Sequence, residues 1–191
     1  TCAMVDALVN ELQAAGHDIQ ASRRTDRIGY KAGALRVGMD ICKGEYISIF
    51  DADFVPPVDF LRKMAPALKS GDKIAFVQAR WGHLNSQKSL LTRAQTIGID
   101  GHFMIEQCAR GYNKLFLNFN GTAGLWRKEA IYDGGNWQDD TLTEDMDLSY
   151  RCQLAGWTAS YFPDVVVPAE LPESYTAFKS QQFRWAKGSV Q

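Results

Sequence analysis

Two carboxylates, Asp51 and Asp53, stand one residue apart at the end of Tyr46-Ile47-Ser48-Ile49-Phe50. The apolar, β-prone run reads as a strand buried on both faces of a parallel sheet, and Pro56-Pro57 stops it. In open α/β sheets ligands bind beyond the carboxyl ends of the strands, which is where Asp51 and Asp53 fall. Carboxylates this close repel each other, and a cation relieves the repulsion. Oxygen-only ligands suit Mg²⁺ or Mn²⁺. The pattern fits a metal-diphosphate site; ordinary solvated acids after a strand fit it too.

A second acidic centre runs through residues 139–155. Thr141-Leu142-Thr143-Glu144 matches a capping box, which predicts a helix starting near Leu142 with Glu144 as a cap. Asp147 can pair with Arg151 one turn on. Asp145 has neither task. In a first helical turn the dipole favours its ionised form, and a carboxylate so held can act as a general base. An exposed first-turn acid is the plainer alternative.

Cations are few and placed. Lys31 lies in Gly29-Tyr30-Lys31-Ala32-Gly33, a glycine-bearing loop opening a helix, where backbone N–H groups can meet an anion. It is neither a dinucleotide nor a P-loop fingerprint. Near the C-terminus Arg184 could grip phosphate while Trp185 packs against a sugar or the core. The small residues of Asn120-Gly121-Thr122-Ala123-Gly124 let backbone approach a ligand, although simple turn chemistry looks the same.

The elements that must position these groups alternate. Val5, Leu8, Val9 and Leu12 share a helical face that Gly16 ends, and residues 19–22 read as a short strand. Helices are expected over 60–68 and 175–189, with one helical turn over 128–132. A further helix over 89–110 should be interrupted at Gly98 and Gly101. Strands are expected over 74–78, 115–119, 158–162 and 165–167, with 80–87 a loop holding Trp81, His83 and Asn85. Doubly wound domains usually begin with a strand; none precedes the first helix, so a first strand is expected to be missing.

The chain has 191 residues, 46% of them hydrophobic, enough for one domain with a sizeable core. Its net charge of −1 carries no electrostatic footprint for nucleic acid. Cys2, Cys42, Cys108 and Cys152 are scattered without zinc spacing, which reads as reduced thiols. No apolar run approaches the ~18 residues that span a bilayer.

Lys31-Ala32-Gly33, Asp51-Ala52-Asp53, Thr143-Glu144-Asp145 and Gln181-Gln182-Phe183-Arg184-Trp185 follow in a fixed order at domain-scale spacing. Together they resemble the processive family 2 glycosyltransferases, the cellulose synthase-like and mannan synthase-like β-glycan synthases, with their DxD, TED and QxxRW motifs. Phe119-Asn120-Gly121-Thr122 is similar to the family's acceptor-side FxGT segment. The resemblance covers nearly the whole chain. It implies a GT-A fold: an α/β domain with a mixed, mainly parallel sheet flanked by helices, here one catalytic domain truncated at both ends.

The resemblance also implies roles. Asp51 and Asp53 would hold Mg²⁺ or Mn²⁺ and the nucleotide diphosphate, with Lys31 in support. Asp145 would be the base. Phe119, Gly121, Thr122, Thr143 and Glu144 would shape the acceptor end. Gln181, Arg184 and Trp185 would bind the diphosphate and the acceptor's terminal sugar. The implied reaction is inverting hexosyl transfer to a glycan acceptor, on the cytosolic face of a membrane reached through helices outside this chain. UDP-glucose, GDP-mannose and UDP-N-acetylglucosamine stay open as donors. A non-catalytic nucleotide-sugar-binding domain could spare Asp145, and a nucleotidyltransferase would need a glycine-rich N-terminal signature.

Overall fold

Four strands form one sheet in the order β1-β3-β2-β4: β1 Tyr46–Ile49, β2 Ile74–His83, β3 Gly124–Arg127 and β4 Thr158–Ala169. The computed structural model describes all of residues 1–191. β3 is antiparallel to both β1 and β2, and β2 is parallel to β4. Three strands therefore run one way, as expected, but β2 and β4 form the one parallel ladder.

The alternation along the strands builds two cores. Phe76 faces Trp126 in register, and both join Phe119, Trp137 and Leu148 on one side of the sheet. Val77 faces Leu125, and both join Phe60, Met64 and Leu68 on the other. Those last three lie four residues apart on α3 Phe60–Lys69, a single apolar stripe laid on the sheet. Helices α2 Tyr30–Ile41, α6 Lys128–Asp133 and α7 Glu144–Leu154 supply the first core with Ala32, Met39, Ile131 and Cys152. Helix α1 Cys2–Ala14 forms where its periodicity predicts, yet buries no residue.

Several expectations are corrected. Residues 19–22 and 115–119 form no strand. In the latter, Gln153 of α7 takes both backbone groups of Leu117: Oε1 accepts its N–H at 2.8 Å and Nε2 donates to its carbonyl at 2.8 Å. A segment satisfied by a side chain needs no neighbouring strand. β2 runs on through Trp81 to His83, because the second half of β4 pairs with it. β4 is one strand, with its register jumping from Phe162 opposite Ala79 to Val166 opposite Arg80. The bulge absorbs Pro163 on a sheet edge, where a missing N–H is tolerated, and Arg80 donates to its carbonyl at 3.0 Å.

The long helix does not break at its glycines. It runs as α4 Leu90–Asp100, then a π-helix Gly101–Gln107, then α5 Cys108–Tyr112. Helix α8 Tyr175–Gly188 closes the fold. No helix is long and apolar enough to cross a membrane.

Candidate functional site

Asp51 and Asp53 occupy a tight turn in which the Phe54 N–H reaches the Asp51 carbonyl at 3.1 Å. The turn is stitched to the end of β4 by a bridge between Phe54 and Ala169 and by the Val55 N–H on the Pro168 carbonyl at 2.9 Å. On its other side the Asp51 N–H donates to Thr122 Oγ1 at 2.9 Å. Because β1 and β3 are antiparallel, the end of one lies beside the start of the other, which brings the acidic turn against the 119–124 loop.

Buried Gln78 fixes that loop. Its Nε2 donates to the carbonyls of Ala79, Thr122 and Ala123, and its Oε1 accepts the Asn120 N–H at 3.0 Å. A lone amide in the apolar run Ile74-Ala75-Phe76-Val77-Gln78 was the sequence signal for it. Gly121 has a φ of +79°, and a Cβ there would lie 2.8 Å from Asp145 Oδ2 and 3.4 Å from Lys31 Nζ. Only glycine lets the loop come this close.

Lys31, from the first turn of α2, reaches Asp51 Oδ1 at 2.5 Å and the Gly121 carbonyl at 3.0 Å. Arg24 is taken up locally, donating to the carbonyls of Ile28 and Tyr30 at 2.6 and 2.7 Å, so it fastens the start of α2 rather than an anion.

Helix α7 starts at Glu144 with Thr143 as its cap, and no capping box forms. The Thr141 hydroxyl instead donates to the Gly188 carbonyl at 3.1 Å and accepts the Thr143 N–H at 3.2 Å. Asp147 does pair with Arg151, at 2.6 Å. Glu144 is 9% exposed. Burial first, then the adjacent Asp145 charge, push its carboxyl up to about 7, against the pull of Lys31. Asp145 is raised as well, again by burial; the Met146 N–H and the Lys31 charge oppose this without cancelling it. The helix start therefore does not decide the charge of Asp145. Desolvation outweighs it and makes the carboxylate a stronger base.

Helix α8 docks its end on this segment. A Cβ on buried Gly188 would lie 2.9 Å from the Thr143 nitrogen, and the Leu142 N–H donates to Gln191 Oε1 at 3.0 Å. The docking turns Gln181, Arg184 and Trp185 toward the acidic groups. Trp185 stands 6.2 Å from Trp81, ring to ring, and exposed Arg184 engages only Ser180 Oγ at 3.3 Å.

Ten of the residues singled out in the sequence line one cavity of about 720 Å³: Lys31, Asp51, Asp53, Gly121, Thr143, Glu144, Asp145, Gln181, Arg184 and Trp185. Thr122 lies behind it, holding Asp51. Phe119 lines a second, more apolar cavity of about 490 Å³. Asn120, Thr143, Asp145, Trp81 and Trp185 wall both. In the sequence, Trp81, His83 and Asp139 of the larger cavity fall in stretches read without a role for their side chains, Asn120 is placed only as part of a turn, and His102 of the smaller one goes unnamed.

The donor set fits a hard divalent ion. Asp51 and Asp53 offer oxygen alone, and the Lys31 ammonium already stands at Asp51 where positive charge is wanted. No group of three or more acidic, His or Cys ligands forms. Protein carboxylates would therefore supply part of a coordination sphere, with phosphate oxygens and water completing it, the usual habit of Mg²⁺ on nucleotides.

Against known proteins, the pattern of the family described as "Glycosyltransferase like family 2" matches residues 1–188. Glucomannan 4-beta-mannosyltransferase 2 of Arabidopsis thaliana is 45% identical over 188 residues, 97% of this chain and 35% of its own length. Probable glucomannan 4-beta-mannosyltransferase 7 of Oryza sativa subsp. japonica is 49% identical over 178 residues, 92% of this chain and 30% of its own length. This chain thus spans about a third of the curated relatives it matches. Among solved structures, mannosyltransferase PcManGT from Pyrobaculum calidifontis, in complex with GDP-Man and Mn²⁺, superposes with a TM-score of 0.66 at 20% identity, covering 91% of this chain and 44% of that one. The likeness extends to the GT-A-type fold.

Proposed function

Since the chain belongs to the glycosyltransferase-like family 2, with cellulose synthase-like glucomannan synthases as relatives, we propose that it carries the catalytic centre for mannosyl transfer from GDP-mannose to a β-glycan. The observation that carries this reading is the single cavity in which Asp51, Asp53, Asp145, Arg184 and Trp185 meet from three separate stretches of chain. The relatives' names supply the sugar and the β-linkage, and the GDP-Man bound to PcManGT supports GDP as the nucleotide, ahead of UDP-glucose or UDP-N-acetylglucosamine.

An α-linked donor giving a β-linked product requires inversion, which one in-line displacement accomplishes. The bond from C1 to the diphosphate oxygen breaks with its electron pair going to the diphosphate. The acceptor hydroxyl oxygen forms the new bond to C1, and its proton passes to Asp145. That partial proton removal is worth typically ~10²–10⁴-fold. Asp51 and Asp53 would hold Mg²⁺ or Mn²⁺, which when bound supplies charge for the departing diphosphate. Lys31 and Arg184 add fixed positive charge to the same cavity. Trp185 gives the acceptor sugar apolar surface beside Asp145, and Phe119, only 1% exposed, backs that wall from the core. Successive additions to one glycan follow from the QxxRW resemblance.

Calorimetry of the full-length protein with GDP-mannose, in Mn²⁺ and in chelator, tests the donor site. Binding that needs the metal and is lost in Asp51→Ala is the expected result. Asp145→Asn should keep donor affinity within about twofold while turnover falls at least ~10²-fold. Equal binding with and without metal would remove the proposed role of Asp51 and Asp53, and full turnover in Asp145→Asn would remove the base.

A further inference from the structure

The π-helix carries a chain of hydrogen bonds toward the cavities. Gln107 Nε2 lies 2.9 Å from the Asn118 carbonyl and 2.9 Å from Asn120 Oδ1. Asn120 Nδ2 lies 3.1 Å from His102 Nε2, and His102 Nδ1 lies 2.9 Å from Glu106 Oε2. Arg110 Nε donates to the other oxygen of Glu106 at 2.9 Å.

One backbone group sets the direction of every bond. The Asn118 carbonyl can only accept, so the Gln107 atom facing it is the amide nitrogen. That nitrogen also faces Asn120, so the Asn120 atom it meets is oxygen. Asn120 therefore turns its NH₂ to His102, whose Nε2 must be the bare, accepting nitrogen. The imidazole proton then sits on Nδ1 and is donated to Glu106. The far end agrees: Glu106 accepts from both Arg110 and His102, contacts that lower its carboxyl against the opposing effect of burial. Flipping the Asn120 amide would set two donors together at Gln107.

We propose that His102 is a positioning residue for acceptor recognition: it locks the Asn120 amide in one orientation on the wall between the two cavities. With these bonds made, Asn120 keeps one N–H and one lone pair of Oδ1 for a ligand, beside Asp145 and the Trp81–Trp185 pair. A pair of fixed polarity suits a sugar carrying vicinal hydroxyls, one accepting and one donating. An amide free to flip would present both polarities and select between epimers poorly. The π-helical turn has a purpose here, since it sets both His102 and Gln107 toward Asn120.

This inference rests on the transferase reading, and its test has one arm that does not. Nitrogen-15 correlation spectra of the imidazoles at pH 8 should show His102 protonated on Nδ1; a proton on Nε2 overturns the proposal whatever the protein's activity. In the transfer assay, His102→Ala should raise the acceptor KM about 10-fold with donor affinity unchanged. His102→Gln, whose amide oxygen reaches the place of Nε2, should restore most of it. If His102 acts through Asn120, the double variant with Asn120→Ala should be no worse than Asn120→Ala alone. Additive losses, or an equal loss of donor affinity, would sink the idea. Wild-type protein that binds no nucleotide sugar would instead refute the donor reading, leaving the spectroscopic arm to judge the network.

Discussion

Glu144 shows what the site costs the fold. Its carboxyl has an ordinary value of 4.5 and is pushed up to about 7, mainly by burial and then by Asp145. The folded state thus holds this proton more tightly than the unfolded chain does. Stability from this group is complete below about pH 4.5 and is lost as pH rises through 7. Glu144→Gln carries no charge to bury, so it should be more stable than wild type at pH 8 by up to roughly 3 kcal/mol, and no more stable at pH 4. Urea unfolding at the two values checks this; an equal gain at both would assign the effect to packing instead. A buried acid retained against stability is expected where charge is used by a ligand. Asp145, raised in the same direction, shares the strain but has the reactive task in the proposed mechanism.

At the scale of elements, the 119–124 loop joins the acidic turn to α7, and Gly121 is its tightest point. Gly121→Ala would force a side chain into a left-handed backbone and set a methyl 2.8 Å from Asp145 Oδ2. A loss of about 1–3 kcal/mol in stability is expected from the backbone alone. Turnover should fall much further than donor binding, because the displaced group is Asp145; matched losses in both would place the damage at the diphosphate end. How the loop is held was poorly legible in the sequence. The acidic turn, the Glu144 helix and the Arg184 helix could be read: an apolar run ended by Pro56-Pro57 marks the first, a capping-box pattern the second, and spaced aromatic residues the third. The conformation of 115–119 could not, since Gln153 satisfies Leu117 from a distance of 36 residues. The capping box failed for a similar reason: the Thr141 hydroxyl finds Gly188 rather than its own helix. His102 was overlooked because its partner Asn120 lies 18 residues on, although the i, i+4, i+8 spacing of His102, Glu106 and Arg110 was visible. Periodicity reports which face is buried; it says little about long-range amides.

For the molecule as a whole, the cavity has one firmly built wall and one lightly attached wall. The strands and the acidic turn lie over two packed cores. Helix α8 buries only Gly188, and it hangs from the Ser174 cap, the Trp81–Trp185 contact and the seat on Thr143. Gly188→Val would push against the Thr143 backbone. Unfolding free energy should change by less than about 1 kcal/mol, while the diphosphate affinity proposed for Arg184 should weaken several-fold. Cooperative loss of the whole fold in that variant would show that α8 belongs to the core.

The seat at Gly188 also has a consequence in time. Amide protons of β2 can exchange with solvent only when the sheet opens, whereas those of α8 need only this lightly attached helix to come off its seat and unwind locally. Deuterium should therefore enter 175–188 orders of magnitude sooner than 74–83, and nucleotide diphosphate should slow the first far more than the second.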